Sequence, residues 1–283
     1  MKKIAFVSII CLLVGVLGIV FGGITEFSDA PLGSSTSSNS SDTPPTHTTR
    51  PATVQTSGNP PHSTTSTPED EQIDQPAFSN LTMAFLGDSI TKGLCKGQVM
   101  ETPYPEGVAN TLGIKSVTNL GIGGSTLCTK NYNSMVSRYS TVPEGTNIIG
   151  IHGGVNDWAQ AFELGDITST NTRTIHGALD YLAKNLKATY PDAFIFFMTP
   201  TPVSNAKLEQ YSATPYSLAD VSQAMKSVAE KYGFPVLDLY ALSGFENVCN
   251  DTSKTDGVHP HQEFTTNSLV PLISEFIKEN YKK

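Results

Sequence analysis

The chain has 283 residues, 38% of them hydrophobic and 16% charged, with a formal net charge of −8. Seven acids and three basic residues in the first 79 positions leave −4 for the remainder. That balance offers no basic face for nucleic acid and none for adsorption of a globular part to anionic lipid. The first 79 residues differ so much in composition from the rest that one folded domain is expected, 80–283. A domain of roughly two hundred residues buries about 70% of the surface its unfolded chain exposes, enough for a core without metal or disulfide.

Lys2 and Lys3 open the chain, and residues 4–25 carry no charge. As a helix this run would span roughly 33 Å at about 1.5 Å per residue, long enough to cross a bilayer. Two readings of residues 1–26 stand: an uncleaved anchor, or a secretory signal cut near Val20-Phe21-Gly22 or Ser28-Asp29-Ala30, with Pro31 disfavouring the second site. Both send the domain outside, because the lysines favour the cytoplasmic side for the N-terminus. Cys11 follows Ile10 and sits too early for a lipoprotein cleavage site. Residues 27–79 read as a disordered linker, since about two-thirds of residues 30–68 are Ser, Thr or Pro and too few side chains are apolar to offset the entropy of ordering. About fifty such residues reach about 40 Å root-mean-square as a flexible coil, a spacer suited to work within or beyond a cell wall, or one that only separates.

From residue 80 onward, short apolar, β-branched or aromatic runs alternate with longer amphipathic segments. This is the pattern of a parallel sheet with helices on both faces. Strands are predicted at 82–86, 116–119, 147–151, 193–198 and 235–239, and helices at 104–112, 132–138, 172–189, 218–232 and 264–280. In the third helix Ile175, Leu179, Leu182 and Leu186 recur at steps of three and four, so one face packs on the sheet. Ligands of such sheets bind beyond the carboxyl ends of the strands, where the loops diverge. Three motifs fall there: Gly87-Asp88-Ser89, Gly121-Ile122-Gly123-Gly124 and Gly153-Gly154-Val155-Asn156-Asp157. They are expected to converge.

Cys95, Cys128 and Cys249 lie in the domain, an odd number that cannot all pair within one chain. Cys95 and Cys128 each follow a predicted strand. If those strands are neighbours the two loops meet, so a Cys95–Cys128 disulfide and free or buried thiols both stand.

A serine hydroxyl is a poor nucleophile at neutral pH and needs a base within hydrogen-bond reach and a third group to orient that base. Asp256-Gly257-Val258-His259-Pro260 supplies both from one rigid polar loop, with His259 as base, Asp256 as orienter and Ser89 as nucleophile. Three donors are available for the oxyanion that attack on an ester creates: the Ser89 N–H, the Gly124 N–H and the Asn156 side-chain amide. Taken singly, Gly124 could serve only a turn and Asn156 only a helix cap. Asp88 is a further candidate at the substrate. Trp158, the only tryptophan, reads either as a wall for a sugar ring or as core. Asp157 suits fixing its loop through backbone hydrogen bonds better than orienting His259. His152 and His176 are expected to be structural. His261 joins Asp256 and His259 in no recognised zinc spacing, so no metal and no cofactor are expected.

Four blocks in order, Gly87-Asp88-Ser89-Ile90, Asn119-Leu120-Gly121-Ile122-Gly123-Gly124-Ser125-Thr126, Gly154-Val155-Asn156-Asp157 and Asp256-Gly257-Val258-His259-Pro260, resemble the SGNH hydrolase superfamily, also called GDSL esterases and lipases. The resemblance covers essentially the whole domain. It departs at Ile90, where leucine is common, a change of shape with no chemical consequence. It implies a flavodoxin-like α/β fold, a three-layer α/β/α sandwich on a five-stranded parallel sheet, and metal-independent acyl-ester hydrolysis through an acyl-enzyme on Ser89.

The expected function is an extracellular, secreted or membrane-anchored, serine esterase removing short acyl groups, foremost acetyl, from carbohydrate or cell-wall polysaccharide. The connections between blocks are short apart from residues 199–217, which leaves little material for a lid over a lipid chain. A lipase or lysophospholipase-like esterase, a peptidoglycan or polysaccharide O-acetyltransferase and a catalytically silent wall-binding module are the alternatives. The expected partner is an acylated carbohydrate or other small ester, met by a monomer. Membrane contact is expected only through the N-terminal segment.

Overall fold

The computed structural model describes residues 78–282. The readings of residues 1–26 and of nearly all of the 27–79 linker therefore lie outside the described residues. The described residues fall in one compact unit. Phe78–Asn80 forms a 3₁₀ turn, with Phe78 buried and its ring 5.8 Å from that of Tyr281. Phe78 and Ser79 thus belong to the fold, two residues earlier than expected.

In chain order the elements are β1 (Thr82–Gly87), α1 (Ser89–Lys92), β2 (Leu94–Cys95), β3 (Gln98–Val99), α2 (Tyr104–Leu112), β4 (Ser116–Gly121), α3 (Met135–Arg138), β5 (Ile148–His152), α4 (Val155–Ala159), α5 (Ile175–Thr189), β6 (Phe194–Met198), α6 (Asn205–Gln210), α7 (Leu218–Tyr232), β7 (Val236–Leu237), α8 (Leu239–Leu242), α9 (Gln262–Phe264) and α10 (Val270–Asn280). The sheet runs β4-β1-β5-β6-β7, all parallel. Counted along the chain its order is 2-1-3-4-5, that of flavodoxin-like folds, whose ligands bind where the order reverses between the first and third strands.

β5 is buried along its whole length and β1 and β6 nearly so, as strands covered on both faces must be. On one side α5 and α7 pack their apolar stripes, and Ile175, Leu179, Leu182 and Leu186 are all fully buried there. On the other side lie α2 and α10, with Tyr104, Val108, Ile273 and Ile277 among the buried residues. The α/β/α layers are those expected.

The departures have local causes. The helix expected at 132–138 begins at Met135, because the Asn131 side chain accepts from the Asn133 N–H and the Ser134 hydroxyl accepts from the N–H of Lys130 and Asn131, bonds that compete with helix formation. The one expected at 264–280 is divided: α9, a π-helical turn at Thr265–Leu269, then α10. Pro271 supplies no N–H and its ring crowds the preceding turn. The last strand keeps only two residues because Asp238 leaves the sheet to cap α8, accepting from the Ala241 N–H.

Candidate active site

β1 delivers the chain to the switch point, and Asp88 turns it into α1. The Asp88 carboxylate accepts from the Ile90 N–H at 2.9 Å, which fixes Ser89 at the first helical position. The Ser89 Oγ lies 2.7 Å from Nε2 of His259, and Nδ1 of the same ring lies 2.8 Å from Asp256 Oδ2. The second Asp256 oxygen accepts from the N–H groups of Val258 and His259, so the loop folds around its own carboxylate. Burial raises the Asp256 carboxyl, but the hydrogen bonds from the His259 ring and backbone outweigh it and hold the group well below the usual carboxylate range. An ionised acid behind the ring selects the tautomer with a proton on Nδ1, leaving Nε2 free to take the serine proton.

The donors come from the neighbouring loops. Gly124 has φ +73°, a left-handed conformation that only glycine adopts at little cost, and its N–H has no hydrogen-bond partner among the described residues. Asn156, on α4, donates from Nδ2 to the Ser125 carbonyl at 3.0 Å, with Asp88 Oδ2 at 3.5 Å. Ser89, Gly123, Gly124, Asn156, Asp256 and His259 line one cavity of about 430 Å³, walled by Leu94, Val155 and Trp158. The three carboxyl-end motifs and the late loop therefore meet. Such a cavity can hold an acyl carbon against a hydroxyl and an imidazole.

Several candidates occupy other roles. Asp88 is 1% exposed and turns inward, so it positions Ser89 and cannot meet a substrate. Burial pushes its carboxyl up to about 6, against the pull of the Ile90 N–H, His259 and Arg138. Trp158 is buried, its Nε1 donates to the Tyr216 carbonyl at 3.3 Å, and its ring meets that of Tyr211 edge to face at 5.3 Å. It is core, 3% exposed where it lines the cavity, and offers no open ring face to a sugar. Asp157, fully buried, accepts from the N–H groups of Leu127 and Cys128 at 2.8 Å each, and so fixes the loop that follows Gly124.

The Cys95–Cys128 bridge does not form: Cys95, Cys128 and Cys249 are free thiols. Cys95 Sγ points at the carbonyls of Lys254 and His259, whereas Cys128 is buried in the core beside Asp157. His152 is buried with neither ring nitrogen hydrogen-bonded, and burial pushes it down to about 4. His261 caps α9 through Nδ1. Among the described residues no group of three or more His, Cys, Asp or Glu could hold a metal ion.

Three supports were not foreseen. Arg138, buried, donates to the carbonyls of Gly87, Leu120 and Asn133 and to the Ser125 hydroxyl. The β2–β3 hairpin turns through Lys96 and Gly97, both with positive φ, the geometry that suits two-residue hairpins. Its Lys96 Nζ donates to the carbonyls of Thr252 and Ser253 just ahead of Asp256. Finally, α6 brings Lys207 to the cavity, followed by Tyr211. A lone Gly97 and an isolated arginine carry no signal in sequence, and residues 199–217 stand out there only as the one long connection between the motifs.

Residues 85–264 match the model of the GDSL-like lipase/acylhydrolase family. The chain belongs to this family. It is accordingly a hydrolase of ester substrates. No curated protein matches it. Among solved structures, a Lactobacillus plantarum protein is 26% identical with a TM-score of 0.64, over 72% of this chain and 99% of that one. The fold of this GDSL-like hydrolase is shared by a putative arylesterase from Agrobacterium tumefaciens, 16% identical, TM-score 0.54, over 70% and 99% of the two chains. It is shared too by a carbohydrate acetylesterase family member from Sinorhizobium meliloti, 18% identical, TM-score 0.53, over 70% and 98%.

Proposed function

We propose that the protein removes short acyl groups, foremost acetyl, from carbohydrate outside the cell membrane. In this reading Ser89 attacks the ester carbonyl while His259 takes its proton, and Asp256 holds the imidazole and offsets the charge it gains. The N–H groups of Ser89 and Gly124 and the Asn156 amide receive the oxyanion. The alcohol leaves with the proton from His259, and water then resolves the acyl-enzyme by the same relay. The observation that carries the reading is the continuous path from Asp256 Oδ2 through His259 to Ser89 Oγ, with steps of 2.8 and 2.7 Å.

The substrate class is supported by the cavity of about 430 Å³, partly open to solvent, which takes a small acyl group and leaves room for its carrier. Export is supported by Lys2, Lys3 and the uncharged run over residues 4–25. The test is a series of aryl esters from acetate to octanoate, with acetylated glycans alongside, offered to the wild type and to Ser89→Ala. Acetate is expected to lead, and Ser89→Ala to lose kcat by about 1,000-fold or more. Preference for octanoate would contradict the acyl class, and an active Ser89→Ala the mechanism.

A further inference from the structure

We propose that Lys207 and Tyr211 form a recognition site for an acidic sugar, so that the ester cleaved at Ser89 is carried by a saccharide bearing a carboxylate. The inference rests on the esterase reading above and names its substrate more closely.

Both residues line the same cavity as Ser89 and His259, and they are tied to the loop that holds His259. The Ser204 N–H donates to the Gly257 carbonyl at 2.8 Å, and the Ser204 hydroxyl caps α6 by accepting from the Lys207 N–H. Gly257 has φ +88°, and a Cβ there would come within 2.3 Å of Ser204 Oγ and 3.3 Å of Lys207 Cγ. The stem of Lys207 therefore lies directly on the peptide between Asp256 and His259. At the other end of this contact, Asn205 donates its N–H to the Asn250 side chain. The start of α6, and the stem of Lys207 with it, is thus fastened to the loop that carries His259.

Its charge has no counterion among the described residues. Lys207 Nζ donates to the neutral Gln210 Oε1 at 2.9 Å and sits 6.0 Å from the centre of the Tyr211 ring. No ion pair among the described residues includes it. The other charged residue lining the cavity, Asp256, is engaged by His259. Lys207 is the one cation among the described residues lining the cavity, and with the ionised Asp256 turned onto His259 the ammonium is left to favour a substrate that carries an anion near its ester.

Tyr211 supplies the second half. Its ring is half-buried, braced edge-on by the buried Trp158, and it borders a second groove of about 560 Å³ with Tyr216 and Tyr240 in its wall. An aromatic surface continuing outward from the site fits the C–H face of a sugar ring and its neighbour in a chain. A phosphate on a lysophospholipid would meet the same ammonium, but the open, aromatic-lined groove matches a chain of rings better than an acyl tail.

The test uses an O-acetylated methyl uronoside and its carboxyl methyl ester, which share ring and acetyl group and differ only in charge. The wild type is expected to favour the free acid in kcat/KM by about tenfold at low salt, the scale of one charge-assisted hydrogen bond. Lys207→Met is expected to bring that ratio, measured within the one enzyme, close to one. Tyr211→Ala is expected to lower kcat/KM for both sugars relative to an aryl acetate. A wild-type ratio of one, a ratio that survives Lys207→Met, or faster turnover of a lysophospholipid than of either sugar overturns the inference while aryl acetate hydrolysis leaves the esterase reading in place. A wild type inactive on aryl acetate as well as on both sugars removes both.

Discussion

The guanidinium of Arg138 donates to the carbonyl oxygen of Gly87 at 2.6 Å, two residues ahead of Ser89. The same group reaches Leu120 and Ser125, so one buried cation joins the ends of β1 and β4 to the loop that carries Gly124. Burial pushes it down to about 10, which leaves it charged at neutral pH. Arg138→Met removes these bonds from a buried position and is expected to cost about 3 kcal/mol or more in stability. Because it also frees Ser89 relative to Gly124, kcat should fall while the triad residues stay intact. Urea denaturation and ester turnover on the same preparation check this, and an unchanged midpoint would refute it.

Asp256→Asn keeps an acceptor for the backbone N–H groups but favours the wrong tautomer of His259. The expected loss in kcat is on the order of 1,000- to 10,000-fold, with little change in fold. The wild-type carboxyl, held below its ordinary value, contributes stability that is present above the unfolded pKa and lost as pH falls below it. The variant should therefore lose less stability than the wild type between pH 4 and 2, measured by chemical denaturation.

Asn156→Ala removes the only side-chain donor proposed for the oxyanion. A fall in kcat of about 100- to 1,000-fold is expected, with KM changed much less, because the bond strengthens as negative charge develops. A rise in KM at constant kcat would instead mark Asn156 as a ground-state contact. Its bond to the Ser125 carbonyl makes a thermal melt of the variant a necessary companion measurement.

Asp88 and His152 give the fold opposing responses to pH. Burial raises Asp88 to about 6, so the folded state holds a proton that the unfolded chain releases, and stability from this group falls as pH rises from 4 to 6. Burial lowers His152 to about 4, so the unfolded chain binds the extra proton and stability from this group rises over the same interval. Each amounts to about 3 kcal/mol across its window. Relative to the wild type, Asp88→Asn should gain stability from pH 4 to 6 and His152→Gln should lose it. Denaturant midpoints at several pH values check this, and parallel curves would contradict both assignments.

Much of the domain was legible because its periodicities are strong. The helices α2 and α7 occupy their expected residues, and the apolar stripe of α5 faces the sheet as its spacing required. The motifs containing Ser89, Gly124, Asn156, Asp256 and His259 could be read because each sits just past a strand or in a polar loop. Short elements were not legible. The β2–β3 hairpin, α6 and the π-helical turn depend on single tertiary contacts or on one proline, and a few residues carry no period. Residue type alone left Trp158 open between a sugar wall and core and placed Asp88 at the substrate, whereas burial decided both roles. The Cys95–Cys128 pairing failed because nearness of two loops does not aim two side chains at each other.

The amino-acid sequence by itself determined that a parallel sheet would form and that a serine, a glycine, an asparagine and an Asp/His pair would stand in its loops. Apolar period and backbone chemistry are local properties that any reader of the chain can count. Tertiary structure alone decided which of these groups face the cavity, that Arg138 and Asp157 lock the loops between them, and that Lys207 lines the same cavity as His259 with no ion pair among the described residues. Those outcomes turn on burial and on bonds between residues 30 to 170 positions apart, which no local pattern encodes.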